Sequence, residues 1–107
     1  MLENIVFCAL RRLTPDIFYY KTADNYEVDF IAILKTGEKI LVQVCHAFNA
    51  QETRTRELRA LTAAMKETNL QRGYIISDNH REILPMETGE IHILPAAEFM
   101  ENTANLA

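Results

Sequence analysis

Between Glu27 and Cys45 the chain holds two apolar runs, separated only by Lys35-Thr36-Gly37-Glu38. Turn chemistry that short reverses a strand, so the two runs must lie side by side and antiparallel. Phe30-Ile31-Ala32-Ile33-Leu34 is apolar almost without interruption, which marks a strand covered on both faces rather than one with a wet side. A buried strand needs helices above and below it, and the flanking sequence supplies them. Leu2, Ile5, Val6, Ala9, Leu10 and Leu13 recur at helical spacing until Thr14-Pro15 stops the pattern, giving a helix over about 2–13. After Cys45, Asn49 and Glu52 have the spacing of a helix N-cap with its reciprocal acid, and Leu58, Leu61 and Met65 form the apolar stripe of a second helix.

The remaining elements are short. Ile17 to Lys21 reads as a strand, and Ala23-Asp24-Asn25 turns the chain into a second strand from Tyr26 to Leu34. Lys39 to Cys45 is the third, Tyr74 to Ser77 the fourth and Ile91 to Leu94 the fifth, and Pro95 opens a terminal helix through Phe99. The order is thus α-β-β-β-α-β-β-α. Tight turns demand antiparallel neighbours and a helical crossover demands a parallel pair, so the expected class is α/β: a mixed sheet between helices, in three α/β/α layers.

At 107 residues with 49% hydrophobic content, residues 1–107 suit a single domain with one core system. A formal charge of -4 offers no global attraction to a polyanion, so a nucleic acid would have to be met by a local basic patch. The two cysteines, Cys8 and Cys45, sit inside apolar runs without the spacing of a disulfide framework, and there is no signal-peptide pattern or long apolar span. A cytoplasmic protein without a membrane role is expected. Gly37, Gly73 and Gly89 lie outside any phosphate-cradling loop, so ATP would bind only in a further, N-terminal portion.

The element order, with Glu3 in the first helix, the strand Glu27-Val28-Asp29-Phe30 and the strand Leu41-Val42-Gln43-Val44-Cys45, resembles the PD-(D/E)XK nuclease-like superfamily. More narrowly, Leu2-Glu3-Asn4-Ile5-Val6-Phe7, Tyr19-Tyr20-Lys21-Thr22, the run around Asp29 and Arg56-Glu57-Leu58-Arg59-Ala60-Leu61 resemble the uncharacterised C-terminal domain of prokaryotic AAA-type ATPases. The resemblance implies a restriction-endonuclease-like fold. It also implies a metal site in which Glu3 is the helix acid, Asp29 the strand carboxylate on the metal, Gln43 the second ligand position and Cys45 the position of the lysine. Gln43 and Cys45 are two apart on a strand and should share a face, with His46 turned away.

The chemistry of those residue types is less favourable than their placement. Mg²⁺ prefers hard anionic oxygens, and Gln in place of Glu keeps an oxygen but removes a charge. A thiol at Cys45 supplies none of the positive charge that a lysine gives to the developing phosphorane. The expectation is a catalytically degenerate accessory module of an AAA-type ATPase, acting in nucleic-acid recognition or assembly, with no cofactor held in this chain. Two alternatives stay open: an active Mg²⁺-dependent nuclease with migrated catalytic residues, and an interaction or dimerisation domain without a nucleic-acid role. DNA, a second copy of the chain and the ATPase portion of the parent are the partners these readings allow.

Blander readings accompany each residue. Asp29 can be a strand-end hydrogen-bonding carboxylate, Gln43 a satisfied buried amide, Glu3 an acid complementing a helix dipole and Cys45 a small buried hydrophobe. Arg54, Arg56 and Arg59 are the candidate nucleic-acid contacts, but Glu52, Glu57 and Glu67 interleave with them as on an ordinary solvated helix face. A zinc site from Cys45, His46, His80 and His92 lacks paired ligand spacing.

Overall fold

In the computed structural model, which describes residues 2–48, 50–87 and 89–106, three helices enclose a mixed sheet. The elements are α1 (Leu2–Leu13), β1 (Ile17–Lys21), β2 (Glu27–Ile33), β3 (Lys39–Val44), α2 (Gln51–Thr68), β4 (Arg72–Ser77), β5 (Glu82–Met86), β6 (Gly89–Pro95) and α3 (Ala96–Leu106). The sheet has six strands in the order β1-β2-β3-β4-β6-β5. Neighbours joined by turns are antiparallel, and β3 with β4 and β4 with β6 are parallel.

The five strands expected from the sequence become six, because Glu82–Met86 pairs along the outer side of β6. This strand contains Pro85. At a sheet edge alternate N–H groups face away from the sheet, so a residue without one is tolerated. The capping expectation at Asn49 lies outside the described residues; Ala50, which precedes α2, is extended and makes no side-chain cap bond. Asn69 ends the helix in the left-handed conformation, with its N–H donated to the Lys66 carbonyl.

Each face of the sheet has its own core. Leu61, Ala64 and Met65 of α2 pack on Val28, Leu41, Ile75, Ile91 and Ile93. Val6, Ala9 and Leu10 of α1, joined by Phe99 of α3, pack on Ala32, Ile40, Val42, Ile76 and Leu94. Alternation along β3 sends Ile40, Val42 and Val44 to the α1 side and Leu41 and Cys45 to the α2 side. Gly73 lets α2 approach closely, since a Cβ there would lie 3.0 Å from Leu61 and Met65 side-chain atoms. No helix among the described residues is long and apolar enough to cross a membrane.

Candidate functional site

The alternation fails once, in β2, and the failure makes the site. Phe18 pairs with Ile31 and Tyr20 with Val28, so two steps on β1 answer three on β2. The extra residue is a β-bulge around Asp29 and Phe30, which lets Val28 and Ile31 both face α2. On the other side, the β2–β3 backbone register runs from Ile33↔Lys39 to Phe30↔Val42 and goes no further. Beyond it, side chains take over from the ladder.

Gln43 is 5% exposed and its amide spans the gap. The Asp29 N–H donates to Gln43 Oε1 at 2.8 Å, and Gln43 Nε2 donates to the Glu27 carbonyl at 3.1 Å. One amide thus supplies an acceptor and a donor to one strand, as a peptide group in a regular ladder would. Asp29 returns the contact: the Val44 N–H donates to its Oδ2 at 2.8 Å. Burial pushes the Asp29 carboxyl up, the Val44 bond pulls it down, and the negative charges of Glu3, Glu57 and Glu27 add to the upward push.

Asp29 and Gln43 are therefore brought together by direct bonds, and Glu3, in the first turn of α1, is close enough for its charge to be felt at Asp29. Cys45 enters the α2-side core, 6% exposed, with its N–H bonded to the Ile76 carbonyl at 2.9 Å. Burial and then the Glu57 charge raise its thiol above the ordinary value, which keeps it protonated and unreactive.

This donor set does not fit Mg²⁺. Asp29 offers one carboxylate with an oxygen already engaged, the sole side-chain oxygen of Gln43 already accepts the Asp29 N–H, and Cys45 is a neutral thiol in a hydrocarbon environment. Among the described residues no three His, Cys, Asp or Glu side chains form a group that could hold a metal ion.

The three candidate arginines do not converge: Arg54 and Arg56, two apart on the helix, point in opposite directions, and Arg56 and Arg59, three apart, line different clefts. Arg54 donates to Glu82 Oε2 at 3.0 Å and lies 4.9 Å above the Phe48 ring, tying α2 to β5. Together with His80, it pushes the Glu82 carboxyl down to about 2. Arg56 lines a cleft of about 260 Å³ with Glu27, Gln43 and Glu57, and donates to Glu57 at 3.4 Å. Arg59 lies beside Lys66 and Asp24 along a separate open groove. The histidines are also divided: His46 meets Asp78 at 3.2 Å, His80 meets Glu82 at 2.8 Å and His92 meets Glu90 at 3.2 Å.

Sequence reasoning missed the bulge and the part Arg56 and Glu57 play beside Gln43. The only signal was the polar Gln43 between Val42 and Val44 in an otherwise apolar strand.

A mixed six-stranded sheet clasped by helices on both faces, with its second strand bulged at Asp29 and repaired by Gln43, defines the class: an α/β domain. Residues 1–99 match the family described as a domain of unknown function (DUF4143), and the chain belongs to that family. No curated protein and no solved structure matches it.

Proposed function

We propose that this chain is a catalytically silent, PD-(D/E)XK-like accessory module of an AAA-type ATPase, with a restriction-endonuclease-like fold put to use in assembly rather than in cutting DNA. The observation that carries the reading is the bonding of Gln43 and Asp29. Both residues stand at the metal-binding positions that the resemblance assigns, and both are engaged in holding β2 to β3. A nuclease also needs a cation near the scissile phosphate, and the position assigned to it carries the buried thiol of Cys45.

Assembly is favoured over nucleic-acid recognition by the sheet edges and by the arginines. The β5 edge carries Pro85, a device that discourages strand addition, whereas β1 has no proline and presents Phe18 and Tyr19 at 53% and 59% exposure. Arg54 is spent on Glu82, and the overall charge is -4. Nucleic-acid recognition stands as the second reading because Arg56 keeps 73% of its side chain exposed on α2.

The test incubates the purified protein with single-stranded, double-stranded and branched DNA in Mg²⁺ or Mn²⁺ and measures DNA binding by anisotropy at low and physiological salt. The expected result is no cleavage and no binding at physiological salt. Metal-dependent cutting that is lost on Asp29→Asn would overturn the silent-site reading; salt-sensitive binding lost on Arg56→Ala would replace assembly by recognition.

A further inference from the structure

On the face opposite Gln43, α1 and α3 cover only part of the sheet. The remainder is the floor of a cleft of about 390 Å³, formed by Ile40, Tyr74, His92 and Leu94, with Phe99 of α3 as one wall and Ile83 of β5 as another. Such dimensions, a mainly apolar lining and a few convergent polar groups are those of a small-molecule site. The Tyr74 ring lies 5.7 Å from His92 and 6.1 Å from Phe99, so aromatic edges line the floor. Ile83 is 55% exposed, apolar surface that an occupant would cover.

The charges around this cleft select the occupant. Arg81 and Glu98 neutralise each other at 2.6 Å, and Glu90, just outside, is turned to His92 at 3.2 Å. Arg72 and Glu38 remain. Neither has an ion pair among the described residues, and both also line the adjoining cleft at the lower end of the sheet, so they stand where the two clefts meet. Tyr74 of the floor is near enough to Arg72 to push its guanidinium up, and the charges of Glu38 and Glu90 add to that.

We propose that this cleft binds an apolar or aromatic α-amino acid, its side chain on the Tyr74–His92 floor, its carboxylate on Arg72 and its ammonium on Glu38. A simple carboxylic acid would gain Arg72 but face Glu38; a simple amine would gain Glu38 but face Arg72. A zwitterion satisfies both, and the apolar floor takes the side chain. Planar donors on Arg72 suit a carboxylate through paired hydrogen bonds. The site is independent of the Asp29–Gln43 region and of the function proposed above.

The probes are L-phenylalanine, phenethylamine and 3-phenylpropionate, followed by amide chemical shifts and by calorimetry on the whole chain. L-Phenylalanine should saturate one site and shift Tyr74, Ile83 and His92, with each single-charge analogue roughly tenfold weaker for loss of one charge-assisted contact. Arg72→Gln should erase the advantage over phenethylamine, and Glu38→Gln the advantage over 3-phenylpropionate. Asn102→Trp, which fills the cleft from the exposed side of α3, should abolish binding. All three positions are exposed, and unchanged thermal unfolding confirms that each variant folds. Absence of saturable shifts, equal binding of the three probes, or shifts confined to another surface would each overturn the proposal.

Discussion

Replacing Gln43 by Glu restores the residue type of a metal-binding motif and should damage the fold in a pH-dependent way. The introduced carboxyl keeps one oxygen to accept the Asp29 N–H at 2.8 Å. Its other oxygen replaces Nε2, which donates to the Glu27 carbonyl at 3.1 Å, so an ionised carboxylate would set oxygen against oxygen. The position is 5% exposed, and Glu57 and Glu27 line the cleft beside it. Loss of the buried donor costs about 1–3 kcal/mol, and the uncompensated buried charge brings the total to about 3–5 kcal/mol at neutral pH. A domain of this size has a net stability of about 5–15 kcal/mol, so the change consumes a large share of it.

Protonation rescues the contact, because a carboxylic acid can donate to Glu27. The introduced group should therefore titrate above its ordinary value, by roughly two units if the linked part of the cost is about 3 kcal/mol. A raised folded-state value means that stability is intact below about pH 4 and is lost progressively as pH rises to about 6.5, with little further change above that. Urea unfolding of wild type and Gln43→Glu between pH 4 and 8 measures the difference at each pH, which cancels the titrations common to both. Gln43→Leu is the control: it leaves one N–H and one carbonyl unpaired and should cost about 2–4 kcal/mol at every pH. A pH-independent Gln43→Glu difference, or wild-type stability at pH 8, would show that the amide does not bridge the strands.

Asp29→Asn should raise stability at neutral pH, because the amide oxygen can still accept the Val44 N–H while the burial and repulsion that raise the Asp29 carboxyl disappear; the gain should vanish in acid, where Asp29 is protonated, as read by urea unfolding at both pH values. Gly89→Ala should cost about 2–4 kcal/mol or prevent folding, since φ is 142° and an added Cβ would collide with the Gln71 backbone, whose carbonyl also accepts the Glu90 N–H; a thermal midpoint within a degree or so of wild type would contradict the close approach of β6 to the α2–β4 connection. In the native protein a thiol reagent should modify Cys8, which is exposed, and spare Cys45 until denaturant is added; rapid modification of a Cys8→Ser variant would mean that Cys45 is not buried under α2.

The elements that sequence made legible are those whose apolar period runs long enough to be read. The α1 stripe from Leu2 to Leu13 and the α2 stripe at Leu61 and Met65 fall where the core needs them, and both faces of β3 are apolar because both are covered. β5 was illegible for a physical reason. It is an edge strand with alternating exposure, its apolar signal is short, and its proline is unfavourable only in the sheet interior. The pairing of Asp29 with Gln43 was legible as placement on adjacent strands. Their bonding was not, because a β-bulge leaves almost no trace in composition, and the side-chain repair becomes visible only when the ladder is seen to stop at Phe30 and Val42.

The bulge also explains why Gln is suited to position 43 in a way that neither the acid nor an apolar residue would be. The open stretch of β2 presents an N–H at Asp29 and a carbonyl at Glu27, and it needs an acceptor and a donor from one side chain. Glutamate at neutral pH has no donor, leucine has neither, and asparagine is one methylene shorter. Asp29 plays the complementary part from β2, accepting the Val44 N–H that would otherwise be left without a strand partner. The side chains at the two positions each bond the backbone of the opposite strand, Gln43 at Asp29 and Glu27 and Asp29 at Val44, so releasing either for coordination would weaken the β2–β3 seam. In this chain, cohesion of the sheet and metal binding at these positions would compete for the same atoms, Gln43 Oε1 and Asp29 Oδ2.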